Sequence, residues 1–355
     1  MEVDSHPIDT STWPKLPPRF RILGQLGSGG MGSVFRVLDR ELGYEVALKR
    51  LHGVTSQDRL ALKREFRALT HIVHPNLVAL HDLVVDGDHC FFTMELVIGR
   101  EFVQHSRQLR ATIDPRSAET EFHDAARQLA LAVNALHEGG ALHRDIKPSN
   151  ALVADSGRVV LLDFGLVVVP SDPAAASGRE FVGTLEYASP EQLWGEPVTR
   201  ASDWYSFGVA LYEAVSGRLP IEARAHEIAY LKKHHTPPSL AELGYSVDSE
   251  FDALVSGLLR PNPEQRPDAE QVLACLGGQV SGRTSSLPRP ARQSASLVGR
   301  ERELTQLSLA FEFVRGGRTL WFEIAGTSGI GKSALVRAFA QPLASDERAF
   351  VSFSR

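Results

Sequence analysis

Cysteine is nearly absent from this chain: its 355 residues hold two, Cys90 and Cys275, far apart in sequence. That excludes a disulfide framework and a cysteine-built zinc site, and it suits a reducing compartment. Long apolar runs are missing as well. The longest, VVLLDFGLVVV at 159–169, is broken by Asp163 and Gly165. It falls short of the about 20 apolar residues that cross a bilayer. The opening stretch, MEVDSHPIDTSTWPKLPP, has no apolar core and does not read as a signal peptide. The expectation is a cytoplasmic protein with no membrane partner. Nor does charge call for nucleic acid: 38 Lys and Arg stand against 43 Asp and Glu, a net of −5. No internal repeat is visible, which sets aside solenoids and propellers.

What is present has the length of two domains, at roughly 100–200 residues each. Residues 1–19 are polar and Pro-rich and read as a lead-in. From 20 onward, FRILGQLG, GSVFRVLD and YEVALKRL are strand-like runs separated by glycines, as in a small antiparallel sheet. Residues 56–70 read as a helix, with Leu62, Phe66 and Leu69 on one face and Thr55 with Asp58 as a capping box. LVALHDLVV and HCFFTMELV read as two more strands. After 117 the pattern turns helical. Phe122, Ala126, Leu129, Val133 and Leu136 mark one long amphipathic helix closed by Gly139 and Gly140, and 203–217 reads as a buried helix. Residues 277–296 are rich in Gly, Ser, Pro and Arg and keep no apolar period, so they read as a linker.

The chemistry-bearing residues fall between these elements. GSGGMGSV supplies Gly27, Ser28, Gly29 and Gly32 in a G-x-G-x-x-G frame, followed by Val34. Alone, these glycines are as consistent with a turn as with a phosphate loop. Their place between two strands, rather than between a strand and a helix, favours a hairpin that covers phosphates. Ala47 and Lys49 lie on one face of the next strand by its two-residue period. Glu65 sits within the helix's apolar stripe, where a charge needs a partner, and Lys49 is the natural one. The alternative is a stripe-edge glutamate that reaches solvent. In HRDIKPSN at 143–150, Asp145 can take a proton from a hydroxyl and Lys147 can neutralise a transferring phosphoryl group. Asn150 offers an oxygen to a hard cation, as does Asp163 in LLDFGL. Base, charge clamp and metal ligands of this kind are what phosphoryl transfer asks of a protein.

Taken together, Gly27/Gly29/Gly32, Lys49, Glu65, HRDIKPSN and DFG, in that order, resemble the protein kinase family over about residues 20–276. Lys147 in DIKPSN is the serine/threonine form. GGMGSVF, HPNLV and GTLEYASPEQL look like the bacterial eukaryotic-type (Hanks-type) members. The resemblance implies an α+β bilobal fold, with a small β-rich lobe and a larger helical one. It also implies ATP and Mg²⁺ as cofactors, and serine/threonine hydroxyls of proteins as substrates, autophosphorylation included. By match, Met94 is the gatekeeper and Glu95 and Val97 give backbone contacts to adenine. Val34, Ala47 and Leu152 sandwich the ring, and Glu65 orients Lys49. Asp203 is similar to the aspartate that braces the catalytic loop, and Glu191 with Arg266 to the large lobe's buried ion pair. The usual A-P-E triplet is Ser189-Pro190-Glu191 here. Between Gly165 and Gly183 the hydroxyls are Ser171 and Ser177, so the resemblance does not by itself imply loop phosphorylation.

A second phosphate motif stands at 326–333. GTSGIGKS fits the Walker A pattern through Gly326, Gly329, Gly331, Lys332 and Ser333, with strand-like TLWFEIAG before it and helix-like SALVRAFAQ after. With LVGREREL upstream, residues 297–355 resemble the start of an AAA/STAND-type P-loop ATPase, a partial α/β module. No strand ending in acidic residues follows, so the expectation is a piece of a longer protein that self-associates through this module. The rival reading of the whole is an ATP-regulated signalling scaffold or switch with a weak or inactive kinase domain. The intact Lys49, Asp145, Asn150 and Asp163 argue against it.

Overall fold

This computed structural model describes residues 16–29, 32–52, 58–86, 89–163 and 185–277, together with Leu335 and Phe339. The chain divides into two compact units, Met1–Thr284 and Ser285–Arg355, and the division falls inside the stretch read as a linker. In the second unit Leu335 is helical and buried, and Phe339 is helical.

The first unit opens with a five-stranded antiparallel sheet, in the order β1-β2-β3-β5-β4. Its strands are β1 (Phe20–Gly29), β2 (Gly32–Asp39), β3 (Tyr44–Leu51), β4 (Leu80–Asp86) and β5 (His89–Met94). The two-residue period decides which side chains meet. Phe35, Val37, Val46, Leu48 and Phe91 close one small cluster on one face. Ala47, Leu51, Phe92 and Met94 face the other way, into the main core, with Leu62, Phe66 and Leu69 of α1 (Asp58–Leu69). Lys49 shares the face of Ala47 and Leu51, so it points to the side where α1 lies. The helix expected over 56–70 is α1; Thr55, its expected capping residue, lies outside the described residues.

The helical part begins with α2 (Phe102–Thr112) and α3 (Pro115–Glu138). Asp114 caps α3 by accepting from the Ser117 amide, and Pro115 takes the first turn, where no backbone donor is needed. Ala118, Phe122, Ala126, Leu129, Val133 and Leu136 bury one stripe of that helix. Then come α4 (Pro190–Leu193), α5 (Arg200–Ser216), α6 (Ala225–His234), α7 (Ser249–Leu258) and α8 (Ala269–Cys275). Helix α5 is buried almost all round and ends at Gly217, whose φ of 74° suits a residue without a Cβ.

A small sheet, β6 (Gly99–Glu101), β7 (Ala151–Ala154) and β8 (Val159–Leu161), lies under the first lobe. Val78 donates to the Leu161 carbonyl at 3.0 Å, and Leu161 to that of Asn76 at 2.8 Å. The segment after α1 is thereby stitched to β8, two residues before Asp163.

Candidate active site

The loop 143–150 is held from below by Asp203 of α5, whose side chain is 1% exposed. Its carboxylate accepts from the backbone amides of His143 and Arg144 and from His137 Nε2, each at 2.8 Å. These bonds hold Arg144 at φ 66°, a conformation that a residue with a Cβ rarely adopts. His143 is fully buried, and burial lowers its proton affinity. Its Nε2 lies 2.8 Å from the Leu162 carbonyl, which can only accept, so Nε2 carries the proton. Nδ1 is therefore an acceptor, and it takes the Asp145 amide at 3.2 Å. A neutral histidine thus fixes the backbone of Asp145 to the strand that leads to Asp163.

Asp145 divides its two oxygens. Oδ2 accepts from Lys147 Nζ at 2.7 Å and from Asn150 Nδ2 at 3.1 Å. Oδ1 has no hydrogen bond among the described residues and can face a hydroxyl. Asn150 Nδ2 also donates to the Asp145 carbonyl at 2.8 Å. Both amide hydrogens are thereby engaged, and Asn150 Oδ1 is left as the free end. Asp163, at φ 55°, pairs through Oδ2 with Lys49 Nζ at 2.8 Å, while its Oδ1 is buried without a partner. A buried, unpartnered carboxylate oxygen and a free amide oxygen are a donor set that fits a hard divalent cation.

The expected pairing of Glu65 with Lys49 is not formed, and this corrects the sequence reading. Lys49 is taken by Asp163. Glu65 keeps Oε2 buried without a hydrogen bond; burial raises its carboxyl pKa, and the Arg144 charge opposes that rise. Helical spacing places Glu65 on the inward side of α1, but the carriage of α1 on β4 is set by tertiary packing, and the nearer carboxylate wins the ammonium.

The glycine hairpin pairs Gly27 with Val34, Ser28 with Ser33 and Gly29 with Gly32. A Cβ on Gly27 or Gly29 would meet nothing within 4 Å, so room for a ligand stands over these backbones. Gly32 differs: its Cβ would collide with the Arg50 carbonyl oxygen. Ala47 pairs with Met94, both buried, and Val34 and Val97 pack against the same core. Leu152 is half-buried on β7, opposite Val160. Glu95 and Val97 lie in the link between β5 and β6. The Glu95 carboxylate is gripped by Arg158 at 2.6 and 3.1 Å, and Arg158 also donates to the Pro75 carbonyl at 2.7 Å. Sequence reasoning missed Arg158, since no period or motif marks a lone arginine in a turn between strands.

Farther down, Arg266 meets Glu191 at 2.7 and 2.9 Å. Burial pushes the Glu191 carboxyl up, but the Arg266 bonds and charge outweigh it and hold the carboxyl below its usual range. The expected Glu191–Arg266 pair is thus formed. Gly326, Gly329, Gly331, Lys332 and Ser333 lie outside the described residues, as do Ser171, Ser177 and Thr184.

Comparisons with known proteins agree with this arrangement. The protein kinase domain model matches residues 20–275, and the AAA ATPase domain model residues 296–354. The serine/threonine-protein kinase pkn2 of Myxococcus xanthus is 35% identical over 293 residues, covering 78% of this chain and 34% of that protein. A protein of Clostridium acetobutylicum named as a probable serine/threonine-protein kinase is 30% identical over 268 residues, covering 73% of this chain and 39% of its own length. PknA of Mycobacterium tuberculosis, also a serine/threonine-protein kinase, is 31% identical over 297 residues, covering 80% and 67%. The chain therefore spans little more than a third of the first two relatives. The solved PknI kinase domain of Mycobacterium tuberculosis, in a point-mutant form, shares the fold, with a TM-score of 0.55 at 23% identity, over 73% of this chain and 95% of that one.

Proposed function

The chain belongs to the protein kinase family, with an AAA ATPase segment behind its kinase domain, and from that premise we propose that it transfers the γ-phosphate of ATP to serine or threonine hydroxyls of proteins, itself included, in bacterial signal transduction. The observation that carries this reading is the division of labour at Asp145: Oδ2 is held by Lys147 and Asn150 while Oδ1 is left open. An acceptor hydroxyl at Oδ1 gives up its proton to the carboxylate as its oxygen bonds to the γ-phosphorus and the bond to the ADP oxygen breaks. Lys147, whose Nζ lies 2.7 Å from Asp145 Oδ2, balances the charge of the moving phosphoryl group. Asn150 and Asp163 are the residues that would hold Mg²⁺, which when bound neutralises phosphate charge. Lys49 reaches the α- and β-phosphates from β3, and the backbone of Gly27, Ser28, Gly29 and Gly32 covers them. Met94, Ala47, Val34, Leu152 and the backbone of Glu95 and Val97 enclose adenine. Glu65 keeps a buried carboxylate oxygen without a partner, and exchanging Asp163 for Glu65 on Lys49 would free Asp163 for metal.

We also propose a cytoplasmic location with no nucleic-acid or membrane partner. Among the described residues no helix is long and apolar enough to cross a bilayer. Self-association through the AAA segment is proposed as well, and light scattering with and without ATP tests it.

The test of the kinase reading is transfer of labelled γ-phosphate to the protein and to a generic basic acceptor protein. Asp145→Asn should lower transfer by about 10²–10⁴-fold, the usual contribution of a general base, with ATP binding intact. Lys332→Ala should leave it unchanged. No transfer by a folded, ATP-binding wild type would favour the scaffold reading instead.

A further inference from the structure

Lys232 of α6 is 1% exposed, and nothing in the proposed chemistry uses it. Its ammonium donates to the carbonyl oxygens of Leu185 at 3.0 Å, Glu186 at 2.6 Å and Ala188 at 2.7 Å. It also lies 5.3 Å from the centre of the Tyr205 ring, with the Arg266 guanidinium 4.8 Å from that same ring. Lysine alone among side chains offers three donors from one atom, and here three backbone acceptors meet it. Burial pushes its pKa down to about 7, with Glu186 opposing; the three carbonyls also favour the charged form, since each would lose a charged donor on deprotonation.

The place of this clamp gives it a role. Residues 185–188 run directly into Ser189, the cap of α4. Gln192 of α4 donates to the Arg144 carbonyl at 2.8 Å, next to Asp145. Glu191 fixes α4 from below through Arg266. Residues 185–188 are thus tied through α4 to the loop that carries Asp145, and the proposed reaction needs an acceptor chain at that loop. A second tie holds the same segment: Tyr187 Oη donates to Glu213 of α5 at 2.5 Å. Without a donor at Lys232, three carbonyls of a short turn would lose their partner together.

We infer that Lys232 is a positioning residue for the protein acceptor: its ammonium, by gathering the carbonyls of Leu185, Glu186 and Ala188, sets the surface against which the acceptor chain lies beside Asp145. The inference rests on the kinase reading above.

The test is steady-state kinetics of the full chain with Mg-ATP and a generic basic acceptor protein, comparing wild type, Lys232→Met and Lys232→Arg. Lys232→Met, close in length but without donors, should lower kcat/KM for the acceptor by about tenfold or more, while the KM for ATP stays within about twofold. Lys232→Arg, which keeps the cation and several donors, should recover most of the loss. A purely structural role would instead lower both substrates' parameters in step with the folded fraction. If Lys232→Met does not stay folded, Lys232→Gln, which keeps a neutral donor, should show the same split at smaller size. A folded variant with unchanged acceptor kinetics, or with ATP and acceptor affected alike, overturns the proposal while leaving the kinase reading in place. A wild type without transfer overturns both.

Discussion

At Asp145 one carboxylate oxygen is committed to Lys147 and Asn150 and the other is open, and the backbone that carries them is fixed by a histidine outside the reaction. His143 accepts the Asp145 amide only while Nδ1 is unprotonated. Burial lowers its pKa below the ordinary 6.5. The unfolded chain therefore binds a proton at His143 before the folded one does. This residue's contribution to stability is fully present above pH 6.5 and is lost as the pH falls through the lowered folded-state value. Urea unfolding from about pH 7.5 down to about 5, wild type against His143→Asn, should show the wild type losing more stability over that fall. Parallel curves for the two proteins would refute the neutral tautomer assigned here.

Elements answer differently from single groups, and the β1–β2 hairpin separates two kinds of glycine. The backbone of Gly27 faces open space, so Gly27→Ala leaves the sheet intact and changes stability by no more than about 1 kcal/mol. Its methyl enters the room kept for phosphates, and the KM for ATP should rise. At Gly32 a methyl collides with the Arg50 carbonyl, and φ is 155°. The Gly32–Leu51 end of the β2–β3 pairing must then open, so Gly32→Ala should lower the melting temperature and weaken ATP binding together. Thermal melts and ATP titrations of both variants check the contrast; equal melting temperatures would remove it.

At the scale of the kinase unit, a fully buried fixed point is the pair Glu191–Arg266. The Arg266 side chain is fully buried and also donates to the carbonyls of Arg260, Pro261 and Ala201. Ser202 adds a 2.6 Å bond to Glu191. This network joins α4, α5 and the loop before α8. Arg266→Met leaves the Glu191 carboxylate buried without its counter-charge, which costs about 3–5 kcal/mol. Chemical denaturation measures it, and a loss under about 1 kcal/mol would mean that the unit relaxes and hydrates the site.

Much of this protein was legible in its residues. Strands β1 to β3, helix α1 and the long helix α3 follow from local periodicity and caps, because those patterns act over a few residues. The loop 143–150, Lys49 and Asp163 were legible because phosphoryl transfer needs particular groups at particular spacings. What the sequence left open are the pairings. Which carboxylate takes Lys49, how His143 shares its nitrogens, how Arg158 grips Glu95 and where the Lys232 ammonium ends depend on contacts between residues distant along the chain. Local spacing places a charge on a face. Only the packed structure, by removing water and choosing among near neighbours, decides which partner that charge meets.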